Sequence, residues 1–421
     1  MKPGTAFLAA VRSTYSAAVV ALLILAAFAL PSAYAQTYTV LHDFSNWPDG
    51  AVPNALMMGA DGVMYGTTQG GGNHCGSGGC GTVYKIDSSG NETVLYRFTE
   101  GNDGANPVAA LIQDAAGNLY GNTEGNGFLD APSTVFKIDT KGNETTLYAF
   151  TGGTGCCQDS PLAIDKAGNL YGMSPYGGDF NCGYQEIGCG SLYRLTQAGQ
   201  ITVLHTFTGQ DGIDPEGGLV VDVDGSLYGT AINGGILSCY TPGGQRYRIT
   251  QGCGTIYKID RSGKFTVLYS FTGGLDGSAP LGLIQDAKGN LYGIASYGGG
   301  TTCDEDPYGC GTIFKVDTQG KFSVLYRFTT AITQPDFNSH LLLGPQGSLY
   351  GSNGIGGANN IGFIFKVSSS GFSIVASFPS DVNREWGIMP QGVVMDSSGN
   401  FYGTMLEDGT DLEGTVFQVS F

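Results

Sequence analysis

Apolar and polar residues alternate along this chain in short, strand-like runs, and three such runs recur seven times each. The first, T-V-L-Y-x-F, ends at Phe44, Phe98, Phe150, Phe207, Phe271, Phe328 and Phe378. The second, G-N-L-Y-G, carries its aromatic at Tyr65, Tyr120, Tyr171, Tyr228, Tyr292, Tyr350 and Tyr402. The third, G-T-V-F-K-I-D, carries its aromatic at Tyr84, Phe136, Tyr193, Tyr257, Phe314, Phe365 and Phe417. A fourth apolar segment precedes each G-N-L-Y-G, as at Ala109–Asp114 and Leu281–Asp286. Successive phenylalanines of the first run lie 50 to 64 residues apart. Each unit therefore predicts four strands.

The turns predict that these strands are antiparallel neighbours. Asp114-x-x-Gly117, Asp165-x-x-Gly168 and Asp286-x-x-Gly289 join one pair, and Asp87-x-x-Gly90, Asp139-x-x-Gly142 and Asp317-x-x-Gly320 join another. Asp favours the start of a type I turn, and Gly accepts the left-handed position that closes a hairpin. Calcium ligation is the rival role for these aspartates. Their recurrence at every hairpin, rarely with a second acid, favours the turn. Adjacent apolar residues such as Leu119 and Tyr120 point to opposite faces of one strand. A sandwich would bury one of them, whereas a propeller blade packed on both sides buries both. The pattern predicts an all-β, seven-bladed β-propeller with four antiparallel strands per blade.

The pattern P-x-G-L-x-x-D followed by G-N-L-Y-G resembles the inner hairpin of NHL-type propeller repeats. That resemblance makes these segments strands A and B, counted from the axis, and the G-T-V-F-K-I-D and T-V-L-Y-x-F segments strands C and D. The chain then opens with a lone strand D, Tyr38–Phe44, and closes with A, B and C, ending at Thr415–Ser420. Pairing of these two ends would close the ring and remove its open edges. The motif set, including Gly254–Asp260, Phe265–Gly274 and Gly289–Gly293, is also similar to the tandem GloVer repeats of secreted bacterial proteins. The similarity spans nearly all of residues 37–421 and weakens at Gln334–Ser339 and Val382–Met389. It implies a secreted or cell-surface repeat protein and no established reaction.

Residues 1–35 read as a signal peptide and 36–421 as one propeller domain. Lys2 and Arg12 precede an apolar run, Ala17–Leu30, then Pro31 and the small-x-small site Ala33-Tyr34-Ala35. At about 14 residues the run is short for a membrane span. Localisation is thus expected outside the cytoplasm, with no membrane contact after cleavage and a monomeric state. The formal charge of −17 becomes two units more negative without the leader, which disfavours nucleic acid as a partner.

The ten cysteines fit an oxidising compartment. Eight form local pairs in B–C loops: Cys75 with Cys80, Cys182 with Cys189, Cys239 with Cys253, and Cys303 with Cys310. In each, the second Cys immediately precedes a Gly opening strand C. Cys156 and Cys157 remain, adjacent in a D–A loop, and either bond to each other or stay apart. No zinc set has a second pair at ligand spacing.

No hydrolase elbow, zinc-protease or phosphate-loop motif occurs, so no catalytic residue is assigned, and no cofactor or metal is expected. His42 and His205 replace the Tyr of strand D and read as structural. His74 lies in a disulfide loop. His340, at the start of an inner strand, could face the channel as a base, although no paired acid is evident. Asp49, Asp103, Asp211 and Asp276 recur in D–A loops as turn caps or as a cation ring. Asp304, Glu305 and Asp306 read as a solvated acidic loop or a calcium site. Quinone-dependent propellers resemble one another in a repeated Trp motif, but this chain has two Trp.

Length variation falls in the B–C and D–A loops, which share one face of a propeller, so function is expected there. Trp47 and Trp386 lie outside the repeat, in D–A loops flanking the closing blade. Each indole either packs beneath its own loop or, with Arg384 and Glu385, forms the expected binding site for an extracellular glycan or protein. The alternative is an extracellular polysaccharide hydrolase or lyase using carboxylates of that face or His340. A pocket with opposed carboxylates or a His–carboxylate pair would favour the alternative.

Overall fold

A computed structural model describes residues 36–75, 78–125, 132–150, 160–182, 188–236, 239, 252–300, 309–329, 340–379, 389–406 and 408–421. The strands fall into seven separate antiparallel sheets, and the sole helical element among the described residues is a short 3-10 turn at Pro345–Gly347. Blade 2 shows the plan, with A at Ile112–Gln113, B at Leu119–Thr123, C at Thr134–Ile138 and D at Glu144–Ala149. The chain is the all-β, seven-bladed propeller that its repeats predict.

The last sheet runs Thr37–Asp43, Thr415–Ser420, Phe401–Met405, Pro390–Met395. The N-terminal strand therefore supplies strand D of blade 7. One contact shows that the closure is regular. In blades 1 to 6 the phenylalanine ending strand D donates its N–H to the carbonyl just before strand C, as from Phe98 to Gly81 or Phe271 to Gly254. Phe44 makes the same bond to Gly414, at 3.0 Å, across the junction of the two chain ends.

The three motifs lock together through rings and glycines. Each strand-D phenylalanine meets the strand-C aromatic of the next blade edge-to-face. The centroid distances are 5.2 Å for Phe44–Tyr84, 5.1 Å for Phe98–Phe136, 5.3 Å for Phe271–Phe314 and 5.3 Å for Phe378–Phe417. The pairs Phe150–Tyr193, Phe207–Tyr257 and Phe328–Phe365 complete the circle. Every blade-to-blade seam thus repeats one buried aromatic contact. The second glycine of G-N-L-Y-G makes room for the same ring. In blade 2, a Cβ at Gly121 would stand 2.6 Å from Phe136 Cζ and 2.9 Å from Leu111 Cδ2. The seven equivalents face strand-C aromatics in register, so glycine is required by packing.

The hairpin aspartates are turn caps. Asp114 Oδ1 accepts the backbone N–H groups of Ala116 and Asn118, both at 2.9 Å. Its Oδ2 accepts Asn118 Nδ2 at 2.7 Å and the Tyr120 hydroxyl at 2.9 Å. Asp165, Asp286 and Asp396 repeat the set. Burial raises each of these carboxyls, but the four donors outweigh it and hold them below the usual carboxylate range. D-x-x-G-N-L-Y is therefore one hydrogen-bonded device. The D–A aspartates work alike. Asp103 accepts Tyr96, Thr99 and Gly101, and Asp276 accepts Tyr269 and Thr272. His42 and His205 take the tyrosine's place, reaching Asp49 at 3.1 Å and Asp211 at 2.9 Å.

Three predicted disulfides form, Cys75–Cys80, Cys182–Cys189 and Cys239–Cys253, with Cα separations of 5.4, 6.1 and 5.3 Å. Cys310 is disulfide-bonded too. Cys303, Cys156, Cys157, Asp304, Glu305 and Asp306 lie outside the described residues. Among the described residues no helix is long and apolar enough to cross a membrane. Both findings are compatible with an extracellular or periplasmic protein.

Candidate functional site: the central cavity

The inner strands begin on the loop face, and there all seven blades converge on a cavity of about 460 Å³. In five blades the residue just before the apolar anchor of strand A, such as Leu111 or Leu341, lines it. Six blades place a small or compact residue at that position: Ala55, Ala110, Pro161, Gly218, Gly282 and Gly392. Blade 6 places His340, whose ring packs beside Gly392. His340 lines the cavity, where the sequence left it as a possible base.

Two acids that the sequence reading did not single out face the same space. Glu124 lies just past strand B of blade 2 and Glu216 lies in strand A of blade 4, Ile213–Val221. With His340 of blade 6, the three titratable lining groups are two, two and three blades apart round the ring. The carboxylate–histidine set that was not evident in sequence is therefore assembled by ring closure. Amides complete the polar lining. Asn54 donates to Thr67 Oγ1 at 2.9 Å and to the Pro107 carbonyl at 2.8 Å, and accepts from Gln69 Nε2 at 3.1 Å. Gln391 joins them from blade 7.

The chain around Glu216 is held in tight turns. Gly217 and Gly218, both at positive φ, form a bulge opposite strand B. A Cβ at Gly217 would collide with the backbone of Gly282 in blade 5. Asp214 holds φ at 61°, a conformation costing about 1–2 kcal/mol for a residue with a side chain. Its N–H is fixed by the Cys189 carbonyl at 3.2 Å, so the Cys182–Cys189 loop of blade 3 anchors the entry to blade 4. Asn106 and Ala279 are held the same way by Cys80 and Cys253. Burial pushes the Asp214 carboxyl up to about 6, and a side-chain hydrogen bond with Glu216 pulls the other way. Asp214 Oδ1 is buried without a hydrogen-bond partner, as is Ser160 Oγ on the cavity wall.

Of the expected aromatic site, Trp47 alone lies within the described residues. Trp47, half-buried, stacks on the exposed His74 ring with centroids 3.9 Å apart. Arg97 Nε donates to the Pro48 carbonyl at 2.9 Å beneath it. Trp386, Arg384 and Glu385 lie outside the described residues. Glu124, Glu216 and Asp214 had a sequence signal: each puts a charge where most other repeats have an uncharged residue.

Solved structures of similar fold include a gluconolactonase, XC5397, from Xanthomonas campestris, at 13% identity and TM-score 0.41, covering 91% of this chain and 89% of that one. A candidate 6-phosphogluconolactonase from Bacteroides uniformis matches at 14% identity and TM-score 0.49, covering 84% and 89%. A luciferin-regenerating enzyme matches at 13% and 0.43, covering 92% and 95%. No curated protein matches the chain. The family model described as the Gloeobacter/Verrucomicrobia repeat matches residues 28–185, 184–299 and 241–421. Matched along nearly its whole length, and built of the seven units described above, the chain belongs to the Gloeobacter/Verrucomicrobia repeat family.

Proposed function

We propose that this is a secreted binding propeller that takes a small saccharide, or the end of a longer glycan, into its central cavity. The observation carrying this reading is the convergence of all seven inner strands on one cavity of about 460 Å³, within the usual range for a small-molecule site. Its lining mixes side-chain amides and carboxylates with the aliphatic Leu56, Val108, Leu281 and Val393. Amides and carboxylates satisfy hydroxyl donors and acceptors, and the aliphatic wall covers the apolar face of a sugar ring. The leader and the disulfides support export.

A second reading rests on the Asp214–Glu216 pair and His340. Glu216 on the cavity wall, with Asp214 two residues before it and outside the lining, and the His340 imidazole supply the carboxyls and base of a general acid–base site acting on a glycosidic or ester bond. A glycan and polysaccharide array scored for both retention and product release separates the two. Retention without release is the expected result. Release of product would establish the acid–base reading, and neither retention nor release would overturn both.

A further inference from the structure

Among the described residues the charged groups of the cavity lining are acidic, with His340 as the one imidazole. Glu124 and Glu216 line the cavity, and no lysine or arginine does among the described residues. Asp214 stands behind Glu216, nine-tenths buried, with Oδ1 lacking a donor. Ser160 Oγ, on the wall contributed by blade 3, also lacks a partner in a residue only 4% exposed. Blades 3 and 4 are in contact here, since a Cβ at Gly218 would stand 3.6 Å from Pro161 Cδ. The formal charge of the whole chain, −17, has the same sign. Such a site repels sugar acids and phosphates and attracts cations. Buried acceptors without donors are rare in folded proteins, and a donor supplied by a ligand relieves them. An ammonium brings three donors and no acceptor.

We infer that the ligand is an amine-bearing saccharide whose ammonium sits at Glu216 and donates to Ser160 Oγ on the adjoining wall, while its hydroxyls meet Asn54, Gln69 and Gln391. This deepens, and rests on, the reading of the cavity as a saccharide site. Free hydroxyls suit the amides, whereas an ammonium gains in addition from the negative charge that Glu124 and Glu216 bring to the lining. N-acetylation removes the charge and keeps the ring, which makes it the natural control.

The test is calorimetric titration of the full chain with the disaccharide of glucosamine and with its N-acetylated twin. The amine form is expected to bind at least roughly tenfold more tightly, as a charge-assisted hydrogen bond requires. Glu216→Gln should abolish that preference, and Glu124→Gln, titrated in parallel, should weaken it. Equal affinity for the two sugars, or tighter binding of the acetylated one, overturns the amine assignment and leaves the saccharide reading standing. Binding of neither disaccharide, with other glycans retained on the array, likewise overturns the amine assignment alone. Retention of no glycan at all overturns the saccharide reading beneath it.

Discussion

A chain lacking Gln36–Phe44 should melt at least about 5 °C below the parent and aggregate on standing. The deletion removes the outer strand of blade 7, leaving the Thr415–Ser420 strand with an unpaired edge. It also removes Phe44, which is 1% exposed and fills the seam with Tyr84. Losing a buried phenylalanine costs about 3–5 kcal/mol, and each kcal/mol is worth about 1 °C in a domain of this size. The loss of backbone pairing comes on top. Scanning calorimetry with size-exclusion chromatography checks it: a truncated chain as monomeric and heat-stable as the parent would contradict ring closure by the N-terminal strand.

The second large effect is expected inside the ring. Phe271→Ala empties the seam between blades 4 and 5, where Phe271 is fully buried against Phe314 and Phe322. Its neighbours belong to two rigid sheets, so the gap cannot collapse easily. The expected cost is about 3–5 kcal/mol. Leu275→Ala is the control, because Leu275 is 64% exposed, and it should shift stability by less than about 0.5 kcal/mol. Chemical denaturation measures both. A Phe271→Ala penalty no larger than that of the control would show that the repeated aromatic seam does not hold the blades together.

What was legible in the chain was what repeats. Phe98 and Phe136 are unrelated in spacing, yet their motifs recur together because every seam needs the same edge-to-face pair. Asp114, Asn118 and Tyr120 recur together because they complete one turn. The cysteines could be paired because each B–C loop closes on itself. The cavity was harder to read because its polar groups are departures from the repeat. Glu124, Glu216 and His340 come from blades 2, 4 and 6 and face one cavity only when the ring closes. Periodicity ties none of them to another. His340 was noticed for its place at the head of an inner strand, but the acids across the axis were not. Trp47 was noticed for standing outside the repeat, but its stacking partner His74 belongs to a different loop that no spacing links to it.

The most direct test of the cavity as the binding site is to fill it without touching its polar groups. Ala110 lines the cavity and is only partly buried, so an indole there can project into the open space. Ala110→Trp should melt within a few degrees of the parent, as surface changes usually do, and should lose retention of whichever saccharide the array identifies. Trp47→Ala, out on the rim, should keep it. Full retention by folded Ala110→Trp, with loss in Trp47→Ala, would contradict the central cavity and place binding on the rim instead.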